Sequence, residues 1–258
     1  MTYKNFKEVL HNYFTEGIDA FLPHISVNCV VLAYQYPELK VLIHKIGDDG
    51  FGLIPGGYVK KAESVEEAAY RNLEILGINE VFLRQVQTFG ETDRAFQYSS
   101  DLTAEILELE SEIVEWVRQR FISVVYYGLV NFTDTKVKPG GLIQELEWIT
   151  INNLDNLVMD HAKIVLKTQK LLATELLNYP VLSNLLPEHF TLNELRGLFE
   201  AILSRPIDRG TFRRKMLNLG LIDQVDKRKD VLGRPSHIFR FQKENYARFL
   251  QTENKFGF

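Results

Sequence analysis

The chain has 258 residues, 45% of them hydrophobic and 25% charged, and its formal net charge is −4. That composition excludes a mainly disordered chain, because apolar residues are abundant enough to build a core. No apolar run approaches the roughly 20 residues of a membrane-spanning helix. The single cysteine, Cys29, allows neither an internal disulfide nor a cysteine-based zinc site. The six histidines lack close ligand spacing, so no metal or other cofactor is expected. Residues 1–19 mix Lys4, Lys7, Glu8, Glu16 and Asp19 with aromatics, unlike a signal peptide, and a cytoplasmic location without a membrane partner is expected.

The net charge divides unevenly. Residues 1–180 hold 16 lysines and arginines against 25 aspartates and glutamates, a balance of −9. Residues 181–258 hold 14 against 9, a balance of +5. An acidic body followed by a basic module points toward a nucleic-acid partner for the second part.

In chain order, residues 3–15 read as a short helix with Phe6, Leu10, Tyr13 and Phe14 on one stripe. Ile25–Tyr34 is rich in β-branched residues and reads as a buried strand, and Lys40–Lys45 as its hairpin partner. Pro55, Gly56 and Gly57 read as a break before a helix. That helix has a capping-box start at Ser64 with Glu67, and Gly77 is placed to stop it. Strands are expected at Val81–Phe89, Phe121–Val130 and Glu145–Ile151. Between two of them, Leu102, Ile106, Leu109, Ile113 and Val117 recur at helical spacing among five glutamates. Residues 101–120 therefore read as an acidic amphipathic helix: a surface helix, a lid or a dimer contact. A longer helix is expected over 154–178, stopped by Tyr179 and Pro180.

The basic module opens with a helix over Thr191–Leu203, capped by Thr191 with Glu194. A tight break at Ser204, Arg205 and Pro206 leads to a second helix, Asp208–Leu219, stopped by Gly220. Two short helices around a four-residue turn fit a helix-turn-helix. Phe212, Met216 and Leu219 would face inward. Arg209, Thr211, Arg213, Arg214 and Lys215 would lie on the flank and outer face. Lys227, Arg228, Lys229 and Arg234 fall on a hairpin that ends in the strand His237–Phe241, a wing. Residues 205–240 carry 10 basic and 4 acidic residues. The positive charge thus sits on the two elements that a winged helix turns toward DNA, one entering the major groove and the other meeting phosphates. A solvated face or a protein-interaction module is the competing reading.

The run from Gly57 to Ile78 resembles the Nudix box, G-x5-E-x7-R-E-U-x-E-E-x-G-U with U apolar. Gly57, Glu63, Arg71 and Leu73 fall at the family spacing. Asn72 replaces the glutamate after the arginine, Ile75 and Leu76 replace the Glu-Glu pair, and Gly77 comes one residue early. Nudix hydrolases use those carboxylates to hold a divalent metal, which needs oxygen ligands. Ile75 and Leu76 supply none, so loss of hydrolase activity is expected. Glu67 is expected to pair with Arg71 at i+4.

With a winged helix behind it, the sequence resembles the bacterial Nudix-related transcriptional regulators. The resemblance rests also on Val27-Asn28-Cys29-Val30-Val31, Phe89-Gly90-Glu91-Thr92-Asp93-Arg94, Val124-Val125-Tyr126-Tyr127 and Met159-Asp160-His161. It continues through Leu185-Leu186-Pro187, Phe190-Thr191-Leu192 and the run Pro206 to Lys215. Together these cover roughly residues 25–245. The resemblance implies an α+β fold: a Nudix-like mixed sheet with helices, plus a C-terminal winged helix. It divides the chain into an N-terminal extension (1–24), an effector domain (25–153), a linker helix (154–180) and a DNA-binding domain (181–258).

The implied function is ligand-responsive regulation, in which a homodimer binds palindromic double-stranded operator DNA. The implied effector is a sugar such as a pentose, or ADP-ribose, and the lost carboxylates tilt the reading toward a sugar. The effector cleft is expected at Asn28, Lys45, Gly56, Gly57, Tyr58, Asp93, Arg94 and Tyr127. Asn28 and Asp93 would bond hydroxyls, and Tyr58 or Tyr127 would stack on the ligand. Two departures stand out. Asp93-Arg94 runs into about 25 extra residues in place of a short Asp-Pro loop, and Asn28 stands where some sugar-responsive relatives have aspartate. The rival expectations are a divergent pyrophosphohydrolase acting on ADP-ribose-like nucleoside diphosphates and a protein-interaction adaptor.

Overall fold

The structure is a computed structural model. It describes residues 8, 11–13, 15–16, 19–46, 51–79, 81–92, 94, 115–116, 119–140, 145–176, 181–229 and 235–251. Most of the acidic segment 101–120, together with Asp93 and Arg234, lies outside the described residues.

The spine of the fold is β1 (Phe21–Gln35), which begins four residues before the expected strand. It runs parallel to β6 (Ile122–Val130) from Ile25 to Ala33. It pairs antiparallel with β2 (Glu38–Ile46) through its second half and with β4 (Gly56–Lys60) through its first. β2 also carries β3 (Phe51–Leu53) and β7 (Leu146–Thr150), and β5 (Phe82–Phe89) pairs with β6. The result is a seven-stranded mixed sheet. The glycine pair read as a break is instead the start of β4. A Cβ on Gly56 would stand 2.4 Å from Val27 O, so only glycine lets these strands close.

Both faces of the sheet are covered, which is why β1 reads as a continuous apolar run. Cys29, Val31, Ala33 and Tyr126 face helix α1 (Val65–Glu74), where Ala69 and Leu73 are fully buried. Ser64 and Glu67 form the expected capping box. Gly77, at φ +80°, lets Ile78 N–H reach Leu73 O and Gly77 N–H reach Glu74 O, which closes the helix. Val30, Leu32, Tyr34 and Tyr127 face the other way, toward α2 (His161–Glu175). The helix expected from residue 154 starts only at His161, because turns and a left-handed Met159 (φ 54°) occupy the stretch before it.

The basic module begins with α3 (Val181–Leu185) and the short strand β8 (Phe190–Thr191). Helices α4 (Leu192–Leu203) and α5 (Arg209–Asn218) follow, with Ser204 in the left-handed region at the break between them. Thr191 and Glu194 form the expected box, and Asp208 caps α5 by accepting from Thr211 N–H. Phe199 and Phe212 meet edge to face at 5.3 Å and lock the two helices. The wing is β9 (Ile222–Lys229) against β10 (Pro235–Phe241), with β8 on the outer side of β10. A last helix, α6 (Lys243–Gln251), adds Tyr246 to the core.

The apolar core does not stop at residue 180. One cluster runs from Tyr34 and Leu39 in the sheet through Leu172 and Leu182 to Leu198 and Phe212. Polar contacts reinforce it: Tyr34 OH donates to Glu194 O at 3.1 Å, and Gln169 Nε2 donates to Ala201 O and Ser204 Oγ, each at 3.0 Å. At the end of α2, buried Glu175 accepts from Tyr127 OH at 2.6 Å and Arg84 Nε at 2.8 Å. Removing the Tyr127 hydroxyl leaves a buried carboxylate short of one donor. Tyr127→Phe should lower the unfolding free energy by about 1–3 kcal/mol, read from urea midpoints. An unchanged midpoint would show that water replaces that bond.

Candidate effector cleft and DNA-binding face

Beside the first half of β1 lies a cavity of about 220 Å³. Its floor is Ser26, Val27 and Asn28 of β1 with Ser123 of β6, and Gly56, Gly57 and Tyr58 of β4 form one wall. Arg94, Phe121, Met159 and His161 form the opposite wall. Five of the eight residues expected at the cleft thus line one glycine-edged cavity. These are Asn28, Gly56, Gly57, Tyr58 and Arg94.

Two expected residues are elsewhere. Tyr127 lies on the same face of the sheet as the cavity but further along β6, fully buried, with its hydroxyl on Glu175. The strand's two-residue alternation puts Ser123 and Tyr127 on one face, but the cavity ends before Tyr127, where α2 covers the sheet. Lys45 sits near the far end of β2, paired with Glu145 at 3.2 Å and Glu147 at 2.8 Å. It does not line the cavity. The expected Asp93 lies outside the described residues.

The polar groups of the cavity are held rigidly. Arg94, 6% exposed, donates from Nε to Asp160 Oδ2 at 2.8 Å and from Nη1 to Phe121 O at 2.7 Å. His161, 3% exposed, accepts Ile54 N–H on Nδ1 at 3.1 Å, so Nε2 carries its proton. Burial, and then the Arg94 charge, push the His161 pKa down to about 3. Ser26 Oγ and Ser123 Oγ share a 2.5 Å hydrogen bond. Sequence reasoning missed His161 as a wall residue. It lay in the Met159-Asp160-His161 stretch, inside the helix expected over 154–178, where nothing marked it as a wall residue. Here Asp160 makes no side-chain cap and its carboxylate serves Arg94 instead.

One end of the cavity is closed by aromatic rings. Tyr13 stacks on Tyr58 at 5.9 Å and 23°, and Trp116 meets Tyr58 edge on at 4.9 Å. Phe21 and Phe121 complete the cluster.

The carboxylates left in the box segment are committed to structure. Glu63 accepts from Arg71 Nε and Nη2 and from Lys60 N–H, and Arg71 Nη2 also donates to Tyr58 O. The Arg71 guanidinium holds the Glu63 carboxyl below its ordinary value. Glu67 folds back on Ser64 N–H at 2.7 Å. The expected Glu67–Arg71 pair is therefore replaced by Glu63–Arg71, because the guanidinium reaches across to the loop before the helix. Asn72 donates to Ala68 O and packs on Gly57, where a Cβ would stand 2.6 Å from its Oδ1. Ile75 is 38% exposed and Leu76 is fully buried. No group of three His, Cys, Asp or Glu side chains among the described residues is placed to hold a metal.

On the second module, Arg209, Thr211, Arg213 and Arg214 are exposed along α5, and Lys215 is half-buried on its flank. Residues 182–241 match the family model described as the NrtR DNA-binding winged helix domain. The basic module is similar to the NrtR DNA-binding winged helix domain.

The chain is 24% identical over 233 residues to the "ADPR responsive transcriptional repressor NtrR" of Acinetobacter baylyi. The match covers 87% of this chain and 84% of that protein. Shewanella oneidensis NrtR has the same fold, with a TM-score of 0.62 at 22% identity over 87% of this chain and 96% of that chain. In complex with a 27mer DNA it gives a TM-score of 0.61 at 22% identity, over 86% of this chain and 95% of that chain. A MutT/nudix family protein from Enterococcus faecalis gives 0.59 at 18% identity, over 94% of this chain and 99% of that chain. The resemblance to Nudix-related transcriptional regulators, and the Nudix-like sheet joined to a winged helix, are borne out. Of the remaining cations expected on the NrtR-type module, Lys227, Arg228 and Lys229 fall on β9 and Arg234 lies outside the described residues.

The buried imidazole gives the cleft a pH signature. Unfolded, His161 takes up a proton near pH 6.5, whereas in the fold it stays neutral to about pH 3. Its contribution to stability is complete above pH 6.5 and is lost as the pH falls toward 3. Arg94 faces it and adds to the depression, Asp160 pairs with Arg94, and His44, also lowered by burial to about 4, behaves likewise. Between pH 6.5 and 5, His161 alone should cost on the order of 2 kcal/mol. Urea midpoints at the two pH values should converge by that amount in His161→Gln relative to the parent. Equal slopes in the two proteins would count against a neutral buried His161.

Proposed function

We propose that this protein is an effector-responsive, DNA-binding transcriptional regulator whose Nudix-like domain senses a ligand without hydrolysing it. The observation that carries the reading is the row of exposed cations on α5 within an NrtR-type winged helix. In this reading α5 enters the major groove, with Thr211, Arg213 and Arg214 at base edges. Arg209, Lys215, Lys227, Arg228, Lys229 and Arg234 neutralise phosphates. A homodimer would place two such helices on a palindromic operator.

The effector site is the cavity at Asn28, Gly56, Gly57, Tyr58 and Arg94. The name of the Acinetobacter relative favours ADP-ribose over a pentose as effector. The cavity is smaller than the roughly 300–1,000 Å³ clefts that hold drug-sized ligands. It suits a ribose-phosphate portion, and the adenine end needs the Tyr13–Trp116 side to open. The signal runs through α2. The segment leading into that helix lines the cavity, and Gln169 grips the end of α4 and the turn before α5. Regulation requires the effector to bind one placement of the winged helices better than another.

Two measurements test the reading. The full chain should retard a duplex selected from random-sequence DNA, with binding falling steeply as salt rises. Arg213→Ala with Arg214→Ala should weaken that complex at least about tenfold, the scale of one lost bidentate base contact. ADP-ribose should shift the retardation curve and survive incubation with magnesium. Robust hydrolysis abolished by Glu63→Gln would overturn the non-enzymatic reading. Absence of any sequence-specific complex would favour the adaptor.

A further inference from the structure

The groups that converge on the cavity are mostly donors. Arg94 has spent Nε on Asp160 and Nη1 on Phe121 O, and among the described residues Nη2 has no partner. His161 has fixed its tautomer through Ile54 N–H, and among the described residues Nε2–H has no partner either. The Ser26–Ser123 hydroxyl pair consumes one of its two protons and leaves the other to donate. No aspartate or glutamate lines the cavity among the described residues, and Arg94 is its one charged lining group there. Fixed donors that line a cavity and lack a protein partner favour a ligand that brings acceptors.

A sugar hydroxyl offers an acceptor but also a proton that needs an acceptor of its own. A phosphoryl or carboxylate oxygen brings acceptors only, and its charge matches a fixed guanidinium. We propose that Arg94 and His161 form a two-donor seat for an oxyanion of the effector, the neutral imidazole donating from Nε2 and the guanidinium from Nη2. The inference rests on reading this cavity as the effector site, and it names the group that the site grips. The seat also sits where a signal can start. Asp160, which holds Arg94, immediately precedes α2, and His161 is the helix's first residue. Because the imidazole is neutral, anion binding here does not depend on histidine protonation between pH 5.5 and 8.

The test is calorimetric titration of the full chain with ribose, ribose 5-phosphate and ADP-ribose. Ribose 5-phosphate should bind at least about tenfold more tightly than ribose, the scale of charge-assisted hydrogen bonds. His161→Ala should collapse that ratio, whereas His161→Gln, which keeps an N–H donor, should restore much of it. Arg94→Lys keeps the charge beside Asp160 but loses the second N–H edge, and it should reduce the ratio even if His161→Ala fails to fold. A ratio near one in the parent, or a folded variant that keeps the parent's ratio, overturns the seat. Phosphate-dependent binding without any binding of ADP-ribose leaves the seat standing and removes ADP-ribose as effector. ADP-ribose binding untouched by these substitutions removes the seat and leaves the effector reading.

Discussion

One helix, α2, completes two hydrophobic cores at once, and the rest of the molecule is arranged around that requirement. Ile164, Val165 and Leu172 are fully buried in the cluster that joins the sheet to α4. Without them Tyr34 and Tyr127 on the sheet, and Leu198 on the winged helix, would lose part of their cover. Apolar burial is non-directional, so by itself it would let the helix slide. The directional contacts fix its register: His161 on Ile54 N–H at one end, Gln169 on Ala201 O and Ser204 Oγ midway, and Glu175 on Tyr127 and Arg84 at the other. A buried carboxylate is costly unless its oxygens are satisfied, and here each Glu175 oxygen has a donor. A displacement at the cavity end is therefore felt at the helix-turn-helix through a rigid, satisfied element.

The box segment shows which part of a catalytic motif is also architecture. Gly57, Glu63 and Arg71 survive, and each has a mechanical reason to. Gly57 admits Asn72, and Glu63 with Arg71 ties the loop before α1 to the helix and to Tyr58 O. The positions that diverge, Asn72, Ile75 and Leu76, carry no carboxylate. Leu76 is pulled into the core under the sheet, and Asn72 bonds within its own helix. The fold thus keeps its loop-to-helix brace while Asn72 and Leu76 serve helix hydrogen bonding and packing.

Local features of this chain were readable from sequence because their causes are local. The two capping boxes, the Gly77 and Gly220 stops and the alternating strands each depend on residues within a few positions of one another. The charge division was readable because it is a sum. What sequence missed depends on pairings across the sheet. Whether Tyr126 or Tyr127 faces the cavity side follows from the register of β6 on β1. Arg71 choosing Glu63 over Glu67 follows from the path of the loop, and His161 entering the wall follows from how β3 and β4 lie beside the start of α2. The Gly56–Gly57 pair was noticed but given the wrong role, since a break and a tight strand approach need the same residue.

The N-terminal extension and the inserted segment meet at Tyr58. Tyr13 comes from the N-terminal extension and Trp116 from the inserted segment, and both pack on Tyr58. Tyr58 was expected to stack on a ligand, yet Tyr13 already lies nearly parallel to it, with Phe21, Trp116 and Phe121 around the ring. A ligand ring can stack on that face of Tyr58 only in the place where Tyr13 now stands. Each aromatic pair contributes roughly 0.5–1.5 kcal/mol beyond area burial, so opening the cluster has a real but modest cost. The added segments therefore set the size of what fits the cavity in this state, while the donors at its base set the chemistry. Size and chemistry are controlled from different parts of the cleft, by residues far apart in the chain.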